Sequence, residues 1–420
     1  MARCGRETIV VMAGRTEDAL GLYVSIPFCR SKCTYCNFAS GVYPASQHER
    51  YVDRLIEDLY GAAEWAAGMG VLLPRRLDTV YLGGGTPSLL APELMVRLFA
   101  GVRDAFDVEP GAEITMECAP GQIADPAVET MAAVGVNRVS LGVQSFVDRE
   151  AQSSGRLHGR AIVENDLRRL RRAGITNLNV DLIAGLAGQT FASWEESLMA
   201  LAESGVPHAS VYMLEVDEDS RLGRELLAGG ARYHAGLVPS DEAMAQMYER
   251  AIECLGEVGL GQYEISNFSR RGFLSRHNLR YWERRPYLGV GLDASSMLRA
   301  TEPLPNGMRD VLRSKTTDDL AAYLAGPQPA ETTWLSPGQQ QEEAWFLRLR
   351  LNSGVNVAAL EREFGREAVE AALPVVERLA EDGLVRFDGA TVLLTARGRL
   401  LSNDVFQEFL DIANERIPTR

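Results

Sequence analysis

Hydrophobic positions along the chain switch repeatedly between strand-like and helix-like patterns. Short alternating apolar runs predict strands, and longer stretches with apolar residues three and four apart predict amphipathic helices. The predicted strands are 22–26, 78–82, 112–117, 137–143, 177–183 and 208–214. The predicted helices between them are 47–67, 92–105, 126–134, 161–173 and 193–203. Regular alternation with short loops indicates a parallel sheet with crossover helices, and about six such units predict a partial or full α/β barrel.

The pattern loosens after about residue 217. A helix is predicted near 241–257, a strand near 260–265, and an arginine-rich polar segment follows at 266–286. Residues 300–340, richer in Pro, Gly and Thr, indicate a boundary region. Beyond it the predicted elements are helices 340–350, 356–364 and 367–381, a hairpin at 383–395 and a closing helix at about 398–413. Asp388-Gly389 is a strong turn signal in that hairpin, and this unit resembles a winged helix.

Four parts are therefore predicted. They are an N-terminal tail at 1–18, an α/β barrel at 19–235, a barrel extension at 236–335 and a C-terminal winged-helix-like α+β domain at 336–420. In such a barrel, function collects at the carboxyl ends of the strands.

Composition limits the classes of function. The net charge of −14 argues against sequence-independent binding of nucleic acid, which needs a basic surface. The predicted C-terminal unit is itself acidic. No stretch approaches the roughly 18 uncharged apolar residues of a spanning helix, and no signal peptide is apparent. We therefore expect a cytoplasmic protein that does not bind nucleic acid, and peripheral membrane association stays open.

Cysteine usage points to one metal site. Cys29, Cys33 and Cys36 fall within eight positions, whereas Cys4, Cys118 and Cys254 are scattered. This distribution fits a reducing compartment better than a disulfide framework. Three thiolates at C-x3-C-x2-C spacing can reach three corners of a [4Fe–4S] cluster and leave the fourth iron open. A zinc site is the alternative, but the loop contains no histidine and no fourth cysteine.

The cysteine loop directly follows the first predicted strand and resembles the signature of radical S-adenosylmethionine (SAM) enzymes. The resemblance implies a [4Fe–4S] cluster whose open iron chelates the amine and carboxylate of SAM. A reduced cluster of this kind cleaves the sulfonium of SAM to a 5′-deoxyadenosyl radical. The chemistry would belong to the cofactors, and the protein would supply position and shielding.

Further residues match the superfamily pattern. Gly83-Gly84-Gly85-Thr86-Pro87 follows the second strand and is similar to the amine-binding motif, although such a run can also be a plain tight turn. By resemblance, the SAM contacts are Gly84, Gly85, Thr86, Glu117, Gln144, Arg156 and Asp181, together with Tyr23 and Tyr35 beside the cysteines. For each polar residue at a strand end, the alternative to SAM contact is a structural role, as a partner in a salt bridge or as a cap at the strand end.

Other stretches narrow the resemblance to the coproporphyrinogen dehydrogenase-like family, from about residue 20 to the C-terminal unit. The stretches are 23–29, 141–146, 155–158 and 181–190. The oxygen-independent dehydrogenases carry a fourth cysteine one residue after the third, where this chain has Phe38. That departure and the short N-terminal segment favour HemW-type heme chaperones. His277-Asn278-Leu-Arg-Tyr281-Trp282 resembles their H-N-x-x-Y-W motif, which is implicated in heme binding.

The segment around His277 also suits heme by its chemistry. Six arginines crowd residues 270–285 of an otherwise acidic chain, beside aromatic rings and one imidazole. An imidazole can ligate iron, and guanidinium groups suit propionates. The alternative is a surface loop whose arginines pair with carboxylates of the barrel. One departure concerns Ser295, because the chaperones have a histidine near that position.

The sequence therefore predicts a heme chaperone that holds a [4Fe–4S] cluster, SAM and heme and passes heme to an acceptor protein. The competing hypothesis is an enzyme, either a coproporphyrinogen III dehydrogenase or a radical methyltransferase. Phe38 disfavours the dehydrogenase. An electron donor such as flavodoxin or ferredoxin is compatible with either reading.

Overall fold

Six parallel strands lie side by side in sequence order at the centre of the fold. The computed structural model describes residues 19–304, 308–327 and 331–410, so the predicted tail at 1–18 and the last residues of the predicted closing helix lie outside it. The strands are β1 (Leu20–Ile26), β2 (Arg76–Gly84), β3 (Asp107–Cys118), β4 (Arg138–Gln144), β5 (Asn177–Ala184) and β6 (His208–Met213). The crossover helices are α1 (Ala45–Met69), α2 (Pro92–Ala105), α3 (Asp125–Ala133), α4 (Asp148–Ser153), α5 (Arg160–Arg172) and α6 (Phe191–Ser204). The predicted partial barrel is confirmed, and the sheet is not closed.

Strand β4 shows how the sequence sets the two faces of this sheet. Val139, Leu141 and Val143 are fully buried in the main hydrophobic core. Successive side chains of a strand point to opposite faces. The alternate positions, from Arg138 at the start of β4 to Gln144 at its end, line a cavity instead. One face of β4 therefore contributes to the core and the other supplies polar groups to the lumen.

The sheet continues beyond the six parallel strands on both sides. The next elements are α7 (Arg221–Leu227), α8 (Asp241–Glu257), β7 (Gly261–Gln262), β8 (Asn267–Ser269), α9 (Arg276–Trp282), β9 (Tyr287–Val290), β10 (Ser295–Arg299), β11 (Val311–Lys315), α10 (Leu320–Ala325) and β12 (Glu331–Leu335). β9 pairs parallel with β1, and β10 to β12 follow it as antiparallel strands. β8 pairs antiparallel with β6. The predicted boundary region at 300–340 thus contains two sheet strands.

The strand predicted at 260–265 is wrong in its second half. β7 ends at Gln262, and Glu264 forms an isolated bridge with Leu351. The Ile265 N–H donates to the Arg350 carbonyl at 3.2 Å. These residues leave the sheet because their backbone groups pair with the C-terminal part of the chain.

The C-terminal part has its own small sheet and its own core. Its elements are α11 (Pro337–Leu349), β13 (Val355–Asn356), α12 (Val357–Phe364), α13 (Arg366–Glu370), α14 (Leu373–Glu381), β14 (Val385–Phe387), β15 (Thr391–Leu394), α15 (Ala396–Leu400) and α16 (Ser402–Gln407). β15 lies between β13 and β14. Trp345 stacks on Phe409 with ring centres 5.2 Å apart. The hairpin is confirmed, and the domain boundaries stay predictions.

The helix predicted at 367–381 is two helices, α13 and α14. Pro374 lies in the first turn of α14. A proline has no N–H to donate and its ring clashes with the carbonyl four residues earlier, so one continuous helix through this position is disfavoured. Among the described residues, no helix combines the length and apolar character needed to cross a bilayer.

Helix α9 is fixed to the barrel by a buried ion pair. The Arg280 side chain is fully buried and pairs with Asp78 on β2, and Arg285 pairs with the other oxygen of Asp78 at 2.6 Å. Arg280 also donates to the carbonyls of Ala19 and Pro286 at 3.0 and 2.8 Å. A Cβ at Gly21 would lie 2.4 Å from the Arg280 side chain, so the glycine makes room for it.

The residues that follow Arg280 hold the C-terminal domain. The Arg350 guanidinium carbon lies 4.2 Å from the centre of the Trp282 ring. Arg284 pairs with Glu363 of α12 at 2.7 Å, and Arg348 at the end of α11 pairs with the second Glu363 oxygen at 3.0 Å. The H-N-x-x-Y-W segment therefore lies between the barrel and the C-terminal domain and contacts both.

We predict that Asp78→Asn lowers the free energy of unfolding by about 3–5 kcal/mol, because it leaves two arginines without their carboxylate. The matched control is Asp107→Asn, whose exposed pair with Arg75 spans 3.7 Å and should contribute no more than about 1 kcal/mol. Urea unfolding of both variants measures the difference. Equal, small losses in the two variants would contradict the anchoring role of Asp78.

Candidate cofactor and ligand site

A cavity of about 740 Å³ opens at the carboxyl ends of the parallel strands. The cysteine loop forms one wall, the ends of β2 to β6 form the next, and the start of α16 reaches over from the C-terminal domain. Of the predicted site residues, those that line the cavity are Cys29, Cys33, Tyr35, Cys36, Gly84, Gly85, Thr86, Glu117, Gln144, Arg156 and Asp181. Predicted site residues as far apart in sequence as Cys29 and Asp181 thus share one enclosure.

The cysteine loop is closed by its own hydrogen bonds. The Cys29 N–H donates to the Gly41 carbonyl at 2.8 Å, and the Gly41 N–H donates to the Pro27 carbonyl at 2.9 Å. The Lys32 ammonium donates to the Phe38 and Ser40 carbonyls at 2.6 and 3.0 Å. These bonds fix the backbone path of the loop.

The three loop cysteines are free thiols that face the cavity. Burial raises the pKa of Cys29, hydrogen bonds from Thr86 and Ser40 oppose the rise, and the charges of Cys36 and Cys33 add to it. In the described ranges, no three His, Cys, Asp or Glu side chains converge on a single metal ion. Three neighbouring thiols on one cavity wall fit a cubane cluster, which takes one thiolate at each of three irons.

The glycine run after β2 is required by the cysteine loop itself. The Gly85 N–H donates to the Ile26 carbonyl at 2.9 Å, and the Thr86 N–H donates to the Phe28 carbonyl at 2.8 Å. A Cβ at Gly85 would lie 2.7–2.9 Å from backbone atoms of 26–28. Gly84 has φ +95°, which a side chain would strain. The sequence suggested close approach to a ligand, whereas the close approach at Gly85 is to protein backbone.

Glu117 faces the cavity at the end of β3. It accepts a hydrogen bond from the Tyr81 hydroxyl at 2.8 Å and one from the Gly84 N–H at 3.2 Å. Burial raises the pKa of Glu117 to about 7; the Tyr81 hydrogen bond opposes this rise and the charge of Asp181 adds to it. Near neutral pH the carboxyl group is therefore present in both protonation states, so it can accept or donate a hydrogen bond.

Two further side chains line the middle of the wall. Arg156 donates from two nitrogens to the Tyr35 hydroxyl at 2.8 and 3.2 Å. These bonds join the segment that follows α4 to the cysteine loop. Gln144 has φ +70° at the end of β4, and its buried carboxamide oxygen has no hydrogen-bond partner among the described residues. A buried acceptor left open toward a cavity is suited to a ligand donor.

Asp181 lies deeper and is held by neighbouring strands. It accepts from the Ser140 hydroxyl at 3.0 Å and the Asn179 amide at 2.7 Å. Burial raises the pKa of Asp181, while hydrogen bonds from its polar neighbours oppose the shift. Asp181 therefore belongs to a structural hydrogen-bond network, and its contact with a ligand stays a prediction.

Two predicted contacts are not on the cavity wall. Tyr23 stacks behind Tyr81 with ring centres 6.1 Å apart, so it supports a lining residue. The His277 imidazole is buried, with Nδ1 2.9 Å from the Thr79 hydroxyl and Nε2 2.9 Å from the Tyr281 hydroxyl. Burial lowers the pKa of His277 to about 3, and the charge of Arg138 contributes to this shift. Both ring nitrogens are engaged, which leaves neither open to a heme iron in this conformation.

Arg138 lines the cavity but was not among the predicted site residues. The available signal was a charged residue inside a predicted strand, at the same parity as Ser140 and Gln144. Tyr81 and Tyr212 were also missed. Their positions on β2 and β6 carry no polar pattern that separates them from ordinary strand aromatics.

The comparisons with known proteins agree with this arrangement. The radical SAM superfamily profile matches residues 23–201, and the HemN C-terminal domain profile matches residues 335–401. Heme chaperone HemW of Lactococcus lactis is 32% identical over 391 residues, which cover 92% of this chain and 96% of the relative. HemW of Bacillus subtilis is also 32% identical, over 92% of this chain and 98% of the relative. The chain belongs to the HemW family.

A solved structure supports the fold of this HemW family member. Coproporphyrinogen III oxidase (HemN) from Escherichia coli superimposes with a TM-score of 0.78 over 94% of this chain and 91% of that chain. At 23% identity this likeness concerns the fold alone. Membership of the radical SAM superfamily implies a [4Fe–4S] cluster and SAM. The cluster, when bound and reduced, supplies an electron to SAM, and Cys29, Cys33 and Cys36 would hold it.

Gly85→Ala should lower the free energy of unfolding by about 1–3 kcal/mol, because the new methyl group overlaps backbone that cannot move aside. It should also reduce the iron bound per chain after anaerobic reconstitution, since the cysteine loop is displaced. Gly61→Ala on α1 is the control, because its methyl group meets nothing within 4 Å and should stabilise the helix by up to about 1 kcal/mol. Full iron loading of Gly85→Ala would contradict this account of the glycine.

Proposed function

We propose that this protein is a heme chaperone that binds heme in the 740 Å³ cavity, beside its cluster and SAM, and passes heme to an acceptor protein. The observation that carries the proposal is the composition of this one cavity, which has a three-thiol loop on one wall and an apolar surface on another. The kinship with relatives named heme chaperones, over more than nine tenths of the chain, supports it.

The apolar wall lies on the β5 and β6 side of the cavity. It is lined by Ile183, Met213 and Leu214 of the barrel and by Leu400 and Leu401 of the C-terminal domain. Burial of a flat apolar macrocycle against such a wall is favourable in proportion to the area removed from water. A polar substrate of similar size would gain nothing from these side chains.

Phe38 supports a carrier in preference to a dehydrogenase. It takes the position where the dehydrogenases have a fourth cysteine, and its side chain is 61% exposed at the cavity mouth. An exposed phenylalanine at the entrance offers an apolar face to an entering macrocycle. Asp217 and Asp404 share this mouth. We place the transfer of heme to the acceptor here, and a flavodoxin or ferredoxin would deliver electrons through the adjacent cysteine loop.

His277 enters the proposal in a different role from the one its motif suggests. Using it as an iron ligand requires that one ring nitrogen gives up its hydrogen bond, either Nδ1 to Thr79 or Nε2 to Tyr281. We therefore propose that the H-N-x-x-Y-W segment positions the C-terminal domain over the cavity, and that initial heme binding does not depend on the His277 imidazole.

Titration of the anaerobically reconstituted protein with hemin tests the proposal. Saturable binding with a shifted Soret band is expected for the native chain. Leu401→Glu should weaken binding about tenfold or more, because a charge replaces apolar contact on the cavity wall. Leu72→Glu is the matched control, since Leu72 is 41% exposed against 38% for Leu401 and lies outside the cavity.

Two results would overturn the proposal. One is the absence of saturable hemin binding by the native chain. The other is protoporphyrinogen formation when the protein is incubated anaerobically with coproporphyrinogen III, SAM and reductant. Retention of the Soret shift in His277→Ala supports the positioning role of that residue, and its loss assigns the imidazole to the iron.

A further inference from the structure

Arg138 is a buried cation at the floor of the cavity, and within the described part of the chain it makes no ion pair. It begins β4, is only 2% exposed and lines the cavity. Its Nε has no hydrogen-bond partner, and no carboxylate among the described residues forms an ion pair with its guanidinium group. Arg280, which is also fully buried, is instead paired with Asp78.

Two carboxyl groups at the strand ends of the cavity wall, Glu117 and Asp181, are already engaged by other partners. Glu117 accepts from Tyr81 and Gly84, and Asp181 accepts from Ser140 and Asn179. The positive charge of Arg138 acts to lower the pKa of Asp181 and of Tyr81. Neither side chain forms an ion pair with it.

Neutral polar groups on β5, β6 and β8 also bond to one another. The Asn179 amide donates to the Ser210 hydroxyl at 3.0 Å, and the Asn179 carbonyl oxygen lies 2.6 Å from His208 Nδ1. The Ser210 hydroxyl donates to Asn267 at 2.9 Å. These neutral groups are bonded to one another, so the Arg138 guanidinium, like the Gln144 carboxamide oxygen, keeps bonding capacity toward the cavity.

An unpaired buried charge costs folding free energy, and a structural arginine would recover that cost through an ion pair. A guanidinium kept unpaired at a cavity wall is suited to an anion that arrives with a ligand. Its planar, fixed donors match a carboxylate in a bidentate arrangement.

We propose that Arg138 binds a ligand carboxylate at the cavity floor, and we assign that carboxylate to a propionate of a porphyrin. The assignment rests on the proposed function. Arg138 and Gln144 stand at opposite ends of β4, roughly 20 Å apart at about 3.3 Å per residue. The amino-acid end of SAM belongs with the cysteine loop at the Gln144 end, whereas a second ligand filling the cavity can reach Arg138.

The experiment compares hemin with hemin dimethyl ester in the reconstituted full-length protein. The native chain should bind hemin more tightly than the neutral ester. Arg138→Gln should weaken hemin binding by about 30-fold and remove the preference over the ester, because a charged partner is lost at a buried site. Arg138→Lys keeps the positive charge but lacks the planar pair of guanidinium donors, so it should retain part of the preference for hemin over the ester. Arg168→Gln, an exposed arginine on α5, is the charge-matched control.

Unfolding measurements on the ligand-free variants separate a binding role from a structural one. Removal of an unpaired buried charge should leave the urea midpoint of Arg138→Gln unchanged or raised, while a structural arginine would show a lowered midpoint. A lowered midpoint with an unchanged preference for hemin over its ester would overturn the inference.

Further binding measurements identify the ligand that supplies the carboxylate. If Arg138→Gln weakens SAM relative to decarboxylated SAM and leaves hemin unaffected, the porphyrin assignment is overturned in favour of SAM. If native protein binds hemin and Arg138→Gln binds it equally well, the inference fails while the proposed function stands. If native protein binds no hemin, the proposed function and the porphyrin assignment both fail.

Discussion

The site depends on the close contact between two pieces of backbone. The end of β2 lies against the start of the cysteine loop, where Gly85 and Thr86 donate to carbonyls at residues 26 and 28. This contact leaves no space for a side chain at Gly85, and it brings the Thr86 hydroxyl to 3.8 Å from the Cys29 sulfur. The same strand end orients the Gly84 N–H toward Glu117. One backbone pairing thus positions a thiol wall and a carboxyl group on adjacent sides of one cavity.

Buried charge is used in two opposite ways around this cavity. Asp78 pairs with Arg280 and Arg285 and fixes α9 to β2, while Trp282 and Arg284 of the same region contact the C-terminal domain. That chain of contacts places Leu401 and Asp404 over the cavity mouth. Arg138, in contrast, is buried and makes no ion pair with any residue that the structure describes. Paired charges set the shape of the site, and Arg138 faces its interior.

The sequence predicted those parts of the fold and the site whose residue pattern has a single physical cause. The strand and helix alternation predicted the six parallel strands because each element carries its own period. The predicted site residues meet because parallel strands end at one edge of the sheet. They include the three loop cysteines, Thr86, Glu117 and Arg156. The position of His277 could not be predicted, since its burial depends on partners nearly 200 residues earlier on β2. Arg138 was missed for the same reason, because an absent ion pair is visible only when all neighbours are placed.

The central claim is that one cavity holds both the cluster and heme. Anomalous diffraction at the iron absorption edge, from crystals of the reconstituted protein grown with hemin, tests it most directly. The account predicts iron density at Cys29, Cys33 and Cys36 and a second iron position inside the same cavity, between the cysteine loop and the apolar wall. A hemin iron located outside the cavity, or ligated by His277 after α9 has moved away from Thr79, would contradict it.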